Sequence, residues 1–93
     1  FINVARGAVI DENALAAAVL ENRIGGIGID VYSEEPFGAE HCFNKIKDKH
    51  NVIITPHIAW ATCEARKRCA DEVCENIRCY LQGISRNVVS GEK

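Results

Sequence analysis

No run in this chain approaches the roughly 20 consecutive apolar residues that a membrane-spanning helix needs, and the apolar opening Phe1-Ile2-Asn3-Val4 is too short for a signal-peptide core. A membrane partner is not expected, and a cytoplasmic location is. An excess of charge of one sign is also missing. The 11 basic and 13 acidic residues are interspersed and leave a formal net charge of −2, which offers nucleic acid no electrostatic footprint. Methionine is absent throughout, position 1 included. A first strand beginning abruptly at Phe1 would have a bare sheet edge, which soluble proteins normally avoid, so the polypeptide is expected to continue upstream. Ninety-three residues bury only a modest share of their surface when folding alone.

Cysteine pairs of the CxxC kind are absent, although Cys42, Cys63, Cys69, Cys74 and Cys79 are present. Four of the five fall in one predicted helix, where at about 100° per residue they point near 0°, 240°, 20° and 160° and cannot share one ligand shell. The odd count does not suit a closed disulfide framework. Reduced thiols, some of them buried as small hydrophobes, are expected, and no metal. His41 and Cys42 with His50 form a weaker metal candidate. Neither an internal repeat nor a low-complexity segment interrupts the chain.

What is present is an alternation of short apolar runs and helical patterns. Phe1–Ala5 reads as a buried strand that turns at Arg6-Gly7. Asp11 is an N-cap with Glu12 in the first turn, and the Ala-rich helix behind it runs to about Asn22. Leu15, Ala18, Val19 and Asn22 form its inward stripe. A second strand covers Ile27–Val31, with Ile27, Ile29 and Val31 on one face and Gly26, Gly28 and Asp30 on the other. Strand, helix and strand at this spacing imply parallel pairing. Gly25-Gly26-Ile27-Gly28 superficially suggests a dinucleotide fingerprint. Val31 stands where the third glycine belongs, however, and the run begins a strand instead of following one, so a phosphate loop is expected upstream of Phe1. Tyr32–Asn51 is a polar connection with a helical turn around Asn44–Lys47. Asn51–Thr55 is a third strand stopped by Pro56. A helix capped by Thr62 and ended by Gly83 carries Ala65, Cys69, Val73, Ile77 and Leu81 on one stripe, with Ala70 and Cys74 alongside.

Three side chains follow those strands. In open parallel α/β sheets ligands lie outside the carboxyl ends of the strands, so groups leaving neighbouring strands converge on one crevice. Arg6 offers a planar fork suited to a carboxylate, or to an internal acidic partner. His57 is a natural general acid/base, or a strand-end cap on a backbone carbonyl. Glu35 could hold the His57 ring and favour its protonated form, or be a solvated loop charge like its neighbour Glu34. Asp30 could bond a cofactor amide or cap a nearby backbone N–H.

Taken together, NVARGAVID, GGIGIDVYSEEP and NVIITPHIAWAT resemble the C-terminal half of the nucleotide-binding domain in the D-isomer-specific 2-hydroxyacid dehydrogenase family, from about Phe1 to Ile77. The resemblance implies an α/β fold, part of a Rossmann-like parallel sheet in the order β-α-β-loop-β, followed by a long C-terminal helix. It implies that residues 1–61 belong to the dinucleotide domain and that residues 62–93 connect back toward a substrate domain. Arg6 would bind the substrate carboxylate and carbonyl, Glu35 would be the carboxylate partner, and His57 the acid/base that also touches substrate. Val4, Ala5, Arg6, Asp30, His57, Ala59 and Trp60 would lie against the nicotinamide end of NAD, with NADP as the alternative cofactor. A small 2-oxo or 2-hydroxy acid would be the substrate, and a homodimer the assembly. PHIAWAT, with Trp60 where many members carry glycine, is similar to the glycerate dehydrogenase and hydroxypyruvate reductase branch. Against the family pattern, the glycine-rich loop, the acidic residue that selects NAD over NADP and nearly all of the substrate domain are missing, and His41-Cys42-Phe43 replaces an apolar segment. A dimeric NAD(H)-sensing scaffold of the same fold and an inactive truncated fragment are the competing expectations.

Overall fold

The structure, a computed structural model, describes residues 1–90. They fall into two compact units that divide after Ala59.

The first unit is built on three parallel strands, β1 (Ile2–Asn3), β2 (Ile27–Ile29) and β3 (Val52–Ile54), in the order β1-β2-β3. The expected β-α-β-loop-β order is present, and the strands are shorter than the apolar runs suggested. A side chain ends β1. Asn3 accepts the Ala5 N–H (3.1 Å) and donates to the Arg6 carbonyl (3.0 Å), turning the chain where a strand was expected to continue. Ladder bonds still reach one residue further, from Asp30 N–H to the Asn3 carbonyl and from Thr55 N–H to the Ile29 carbonyl, both 3.0 Å.

Helix α1 (Glu12–Leu20) begins at Asp11, whose carboxylate accepts the Ala14 N–H at 2.9 Å. Of the predicted stripe, Val19 is fully buried and Leu15 packs against the core, whereas Asn22 is exposed; it lies past the helix end, at φ +54°. Ala16 takes the inward place instead. Ile27 and Ile29 meet α1 residues in one apolar cluster.

The connection after β2 is not a polar loop. It contains Phe43 and Ile46, both fully buried, and its helical turn is a 3-10 segment at Cys42–Lys45, earlier than expected. Burying a side chain of that size is worth about 1.5–3 kcal/mol, so these two anchor the segment. Tyr32, Phe37, His41 and Phe43 pack edge-on or tilted, with ring centroids 4.6–6.5 Å apart.

In the second unit, α2 (Cys63–Leu81) is capped by Thr62, whose hydroxyl accepts the Ala65 N–H at 3.1 Å. Gly83, at φ +72°, closes it: its N–H reaches the Tyr80 carbonyl (3.0 Å) and the Ile84 N–H the Cys79 carbonyl (2.9 Å), the paired bonds of a Schellman cap. The segment after it folds back along α2, where Arg86 pairs with Glu72 at 2.7 Å and bonds Asn76. Val73, Ile77 and Leu81 of the predicted stripe are exposed; Cys79, off that stripe, is the buried one. Among the described residues no helix is long and apolar enough to cross a membrane.

Candidate active site

The carboxyl ends of the three strands deliver Arg6, Asp30 and His57, and the chain leaving β2 returns Glu35 to them. His57 Nδ1 lies 2.6 Å from Glu35 Oε2, with the two side chains 41% and 35% exposed. The other oxygen, Oε1, accepts the Tyr32 backbone N–H at 3.0 Å. These bonds hold the Glu35 carboxyl below the usual carboxylate range, with smaller help from the His57 and Arg6 charges. An ionised carboxylate only accepts, so the proton of this contact resides on Nδ1 of the imidazole. Glu35 is therefore the glutamate that meets His57.

His57 sits at φ +56°, in the left-handed region that a non-glycine residue occupies only when its surroundings enforce it. Asp30 is the enforcer. It is 3% exposed, and its Oδ1 accepts the Thr55 hydroxyl (2.6 Å) and the Ile58 N–H (2.9 Å), while Oδ2 accepts the Ala59 N–H (2.9 Å). Burial pushes the Asp30 carboxyl up, but the three bonds and the His57 charge outweigh it and leave the group below its ordinary value. Of the two roles open to Asp30, capping backbone N–H groups is the one its contacts fill.

Arg6 is exposed, and among the described residues its guanidinium bonds the neighbouring Ala5 carbonyl (2.7 Å) and forms no ion pair. The turn that presents it depends on two residues whose importance the sequence concealed. One is Asn3, through the bonds already given. The other is Gly7, where a Cβ would stand 1.9 Å from the Tyr32 carbonyl carbon and 2.2 Å from Ser33 N. Only glycine lets the Arg6 turn rest on that peptide. An Asn two residues before a turn, and a Gly immediately after the Arg, are the signals that could have found them.

Val4 and Ala5 are exposed beyond β1, and Ala59 is tied to Asp30. Trp60 lies in the second unit, in the 3-10 segment Ala59–Ala61. The suggested His41-Cys42-His50 metal set does not assemble. Among the described residues no three His, Cys, Asp or Glu side chains are grouped to hold an ion, and His41 is instead bonded through Nε2 to Glu12 at 3.0 Å. Burial, then the Glu12 charge, pushes the Cys42 thiol up, away from the thiolate a metal requires.

A cavity of about 410 Å³ opens beside the Glu35–His57 pair, lined by both residues together with Tyr32, Pro36, Phe37 and Ile54 among others. Arg6, Glu35 and His57 thus supply a fixed cation, an ionised carboxylate and an oriented imidazole at one sheet end. Such a set can hold an anion and exchange a proton.

Residues 1–59 match the sequence model of the family described as D-isomer specific 2-hydroxyacid dehydrogenase, NAD binding domain. The chain is 41% identical over 88 residues to glycerate dehydrogenase of Methylorubrum extorquens, covering 95% of this chain and 28% of that protein. It is 46% identical over 90 residues to glyoxylate reductase of Thermococcus litoralis, covering 96% and 26%. Among solved structures, an acyclic imino acid reductase in complex with NADPH and D-Arg superposes with a TM-score of 0.74 at 36% identity, over 96% of this chain and 27% of that one. D-Lactate dehydrogenase from Aquifex aeolicus, complexed with NAD and lactic acid, gives 0.63 at 31% identity, over 88% and 28%. The chain spans about a quarter of the length of the curated relatives it matches.

Proposed function

Because this chain belongs to the D-isomer specific 2-hydroxyacid dehydrogenase family, within its NAD-binding domain, we propose that it contributes one half of the active site of an enzyme that reversibly reduces a small 2-oxo acid to the D-2-hydroxy acid. The observation that carries the proposal is the 2.6 Å contact between His57 Nδ1 and Glu35 at the carboxyl end of a parallel sheet, with Arg6 close enough to act on Glu35.

Roles follow from the chemistry of each group. The Arg6 fork binds the substrate carboxylate and polarises the adjacent carbonyl. His57, held through Nδ1, delivers a proton from Nε2 to the carbonyl oxygen during reduction and takes it back during oxidation. Glu35 orients the ring through Nδ1. The nicotinamide cofactor, when bound, supplies or accepts the hydride at the substrate C2.

The residues present fit the nicotinamide end of such a cofactor. Asp30 Oδ2 accepts a single backbone N–H and has capacity for one more donor, such as a carboxamide, and the Val4–Arg6 backbone is exposed beside it. Ala59 and Trp60 complete the proposed set, with NAD as the cofactor and NADP as its alternative. Residues 1–61 are assigned to the dinucleotide domain and 62–93 to the connector, in a cytoplasmic homodimer of the glycerate dehydrogenase and hydroxypyruvate reductase branch.

The test is turnover of glyoxylate, hydroxypyruvate and pyruvate by the full-length protein with NADH and with NADPH. Arg6→Lys keeps the charge and loses the fork, so the KM for the oxo acid should rise roughly tenfold with cofactor binding unchanged. Tight NADH binding with negligible turnover across the panel would replace this function with that of an NAD(H)-sensing scaffold.

A further inference from the structure

Tyr32 bonds Glu35 through one group and, through another, the residue two positions before His57. Its backbone N–H donates to Glu35 Oε1 at 3.0 Å, and its hydroxyl donates to the Thr55 carbonyl at 2.6 Å, with the Ile29 carbonyl at 3.2 Å. Thr55 stands two residues before His57, separated by Pro56, whose ring fixes its own φ. A displacement of the Thr55 carbonyl is therefore passed to His57 through a stiff link. The His57 backbone is in the left-handed region, sparsely populated for a residue with a side chain, so it depends on restraints applied from both sides. Downstream, Asp30 grips the Ile58 and Ala59 N–H groups. Upstream, the Asp30 bond to the Thr55 hydroxyl and the Tyr32 bond to the Thr55 carbonyl do so.

From this arrangement we infer that Tyr32 is a positioning residue, its phenol setting the approach of the His57 ring to the carboxylate that its own backbone N–H holds in place. The role rests on the dehydrogenase function proposed above. Burial, reinforced by the Asp30 charge, pushes the Tyr32 hydroxyl up to about 12, so the phenol remains a donor across the working pH range. The ring itself packs on Phe37 and Phe43, at centroid distances of 4.7 and 6.1 Å. Phenylalanine at this position keeps those contacts and loses the hydroxyl's bonds to the Thr55 and Ile29 carbonyls.

The test is Tyr32→Phe in the full-length protein, read by steady-state kinetics and by the long-range ¹⁵N–¹H spectrum of the His57 imidazole at a pH where the ring is neutral. The native protein should show one tautomer, with the proton on Nδ1. In Tyr32→Phe the spectrum should move to a mixture of both tautomers. In parallel kcat should fall roughly tenfold, with the KM for NADH unchanged within twofold. An unchanged spectrum overturns the inference, whether or not melting temperature or kcat falls, since a purely structural hydroxyl would leave the tautomer alone. If the full-length protein turns over no oxo acid, the dehydrogenase function fails separately, and the spectrum still decides whether the phenol positions the ring.

Discussion

The molecule contains two histidine–glutamate pairs built with opposite wiring. His57 presents Nδ1 to Glu35 at 2.6 Å, and both side chains are more than a third exposed at the sheet end. His41 presents Nε2 to Glu12 at 3.0 Å, with the side chains 13% and 10% exposed, and its Nδ1 accepts the Phe43 N–H at 3.2 Å. Both nitrogens of His41 are thus engaged by the protein, and the ring caps a 3-10 turn. The two glutamates are held by successive backbone N–H groups, Tyr32 to Glu35 and Ser33 to Glu12 at 2.8 Å. The pairs differ in which nitrogen faces the carboxylate and in how much water reaches the ring, and that difference underlies the proposal that one moves a proton while the other fixes a loop.

The largest expected effect separates the two rings. His57→Gln in the full-length protein should lower kcat by roughly 10²–10⁴, while His41→Gln should leave kcat within a few fold and lower the melting temperature. Steady-state rates and thermal unfolding of both variants make the measurement. Next comes the backbone at Tyr32 and Ser33, whose successive N–H groups hold the two glutamates. Gly7→Ala pushes a Cβ into the Tyr32–Ser33 backbone and should destabilise the protein by about 1–3 kcal/mol while disturbing both pairs. Denaturant titration would show it, and unchanged stability would mean that the Arg6 turn does not rest on that peptide.

Glu12→Ala should cost about 1–3 kcal/mol, because the Ser33 N–H and the His41 ring both lose a partly buried acceptor. Its kcat should stay within a few fold, and a loss comparable to that of His57→Gln would break the distinction between the pairs. The smallest effect is in the pH dependence. The Glu35 carboxyl is held below its ordinary 4.5, so its contribution to stability is complete above that value and fades as pH falls through the lower, folded-state value. Native protein should therefore exceed Glu35→Gln in stability at pH 6–7, and the gap should close on acidification below 4.5.

Position after an apolar strand run marked His57, behind Val52–Ile54, and the Glu34-Glu35 stretch before Pro36 as candidates, and it was the resemblance to the dehydrogenase family that chose Glu35 over Glu34 and the acid/base role for His57. Strand order, the Asp11 and Thr62 caps and the Gly83 stop were legible, since each is a local signal of one or two residues. The buried pair was not legible. Glu12 and His41 are 29 positions apart and meet only after Phe43 and Ile46 sink into the core. A 3-10 turn of four residues offers too little periodicity to mark those two as core, so the segment read as polar. The Tyr32 hydroxyl was hidden likewise, because its partner Thr55 lies on another strand end, whereas Asp30 was legible as a strand-end carboxylate and only its partners Thr55, Ile58 and Ala59 were not.

The most direct test of the central claim, that the Glu35–His57 pair moves the proton in 2-oxo acid reduction, is the pH–rate profile of His57→Gln beside that of the native full-length protein with NADH. The account predicts a fall in kcat of roughly 10²–10⁴ with cofactor affinity retained, and a pH–rate profile altered from the native one. Near-native turnover with an unaltered profile would contradict it.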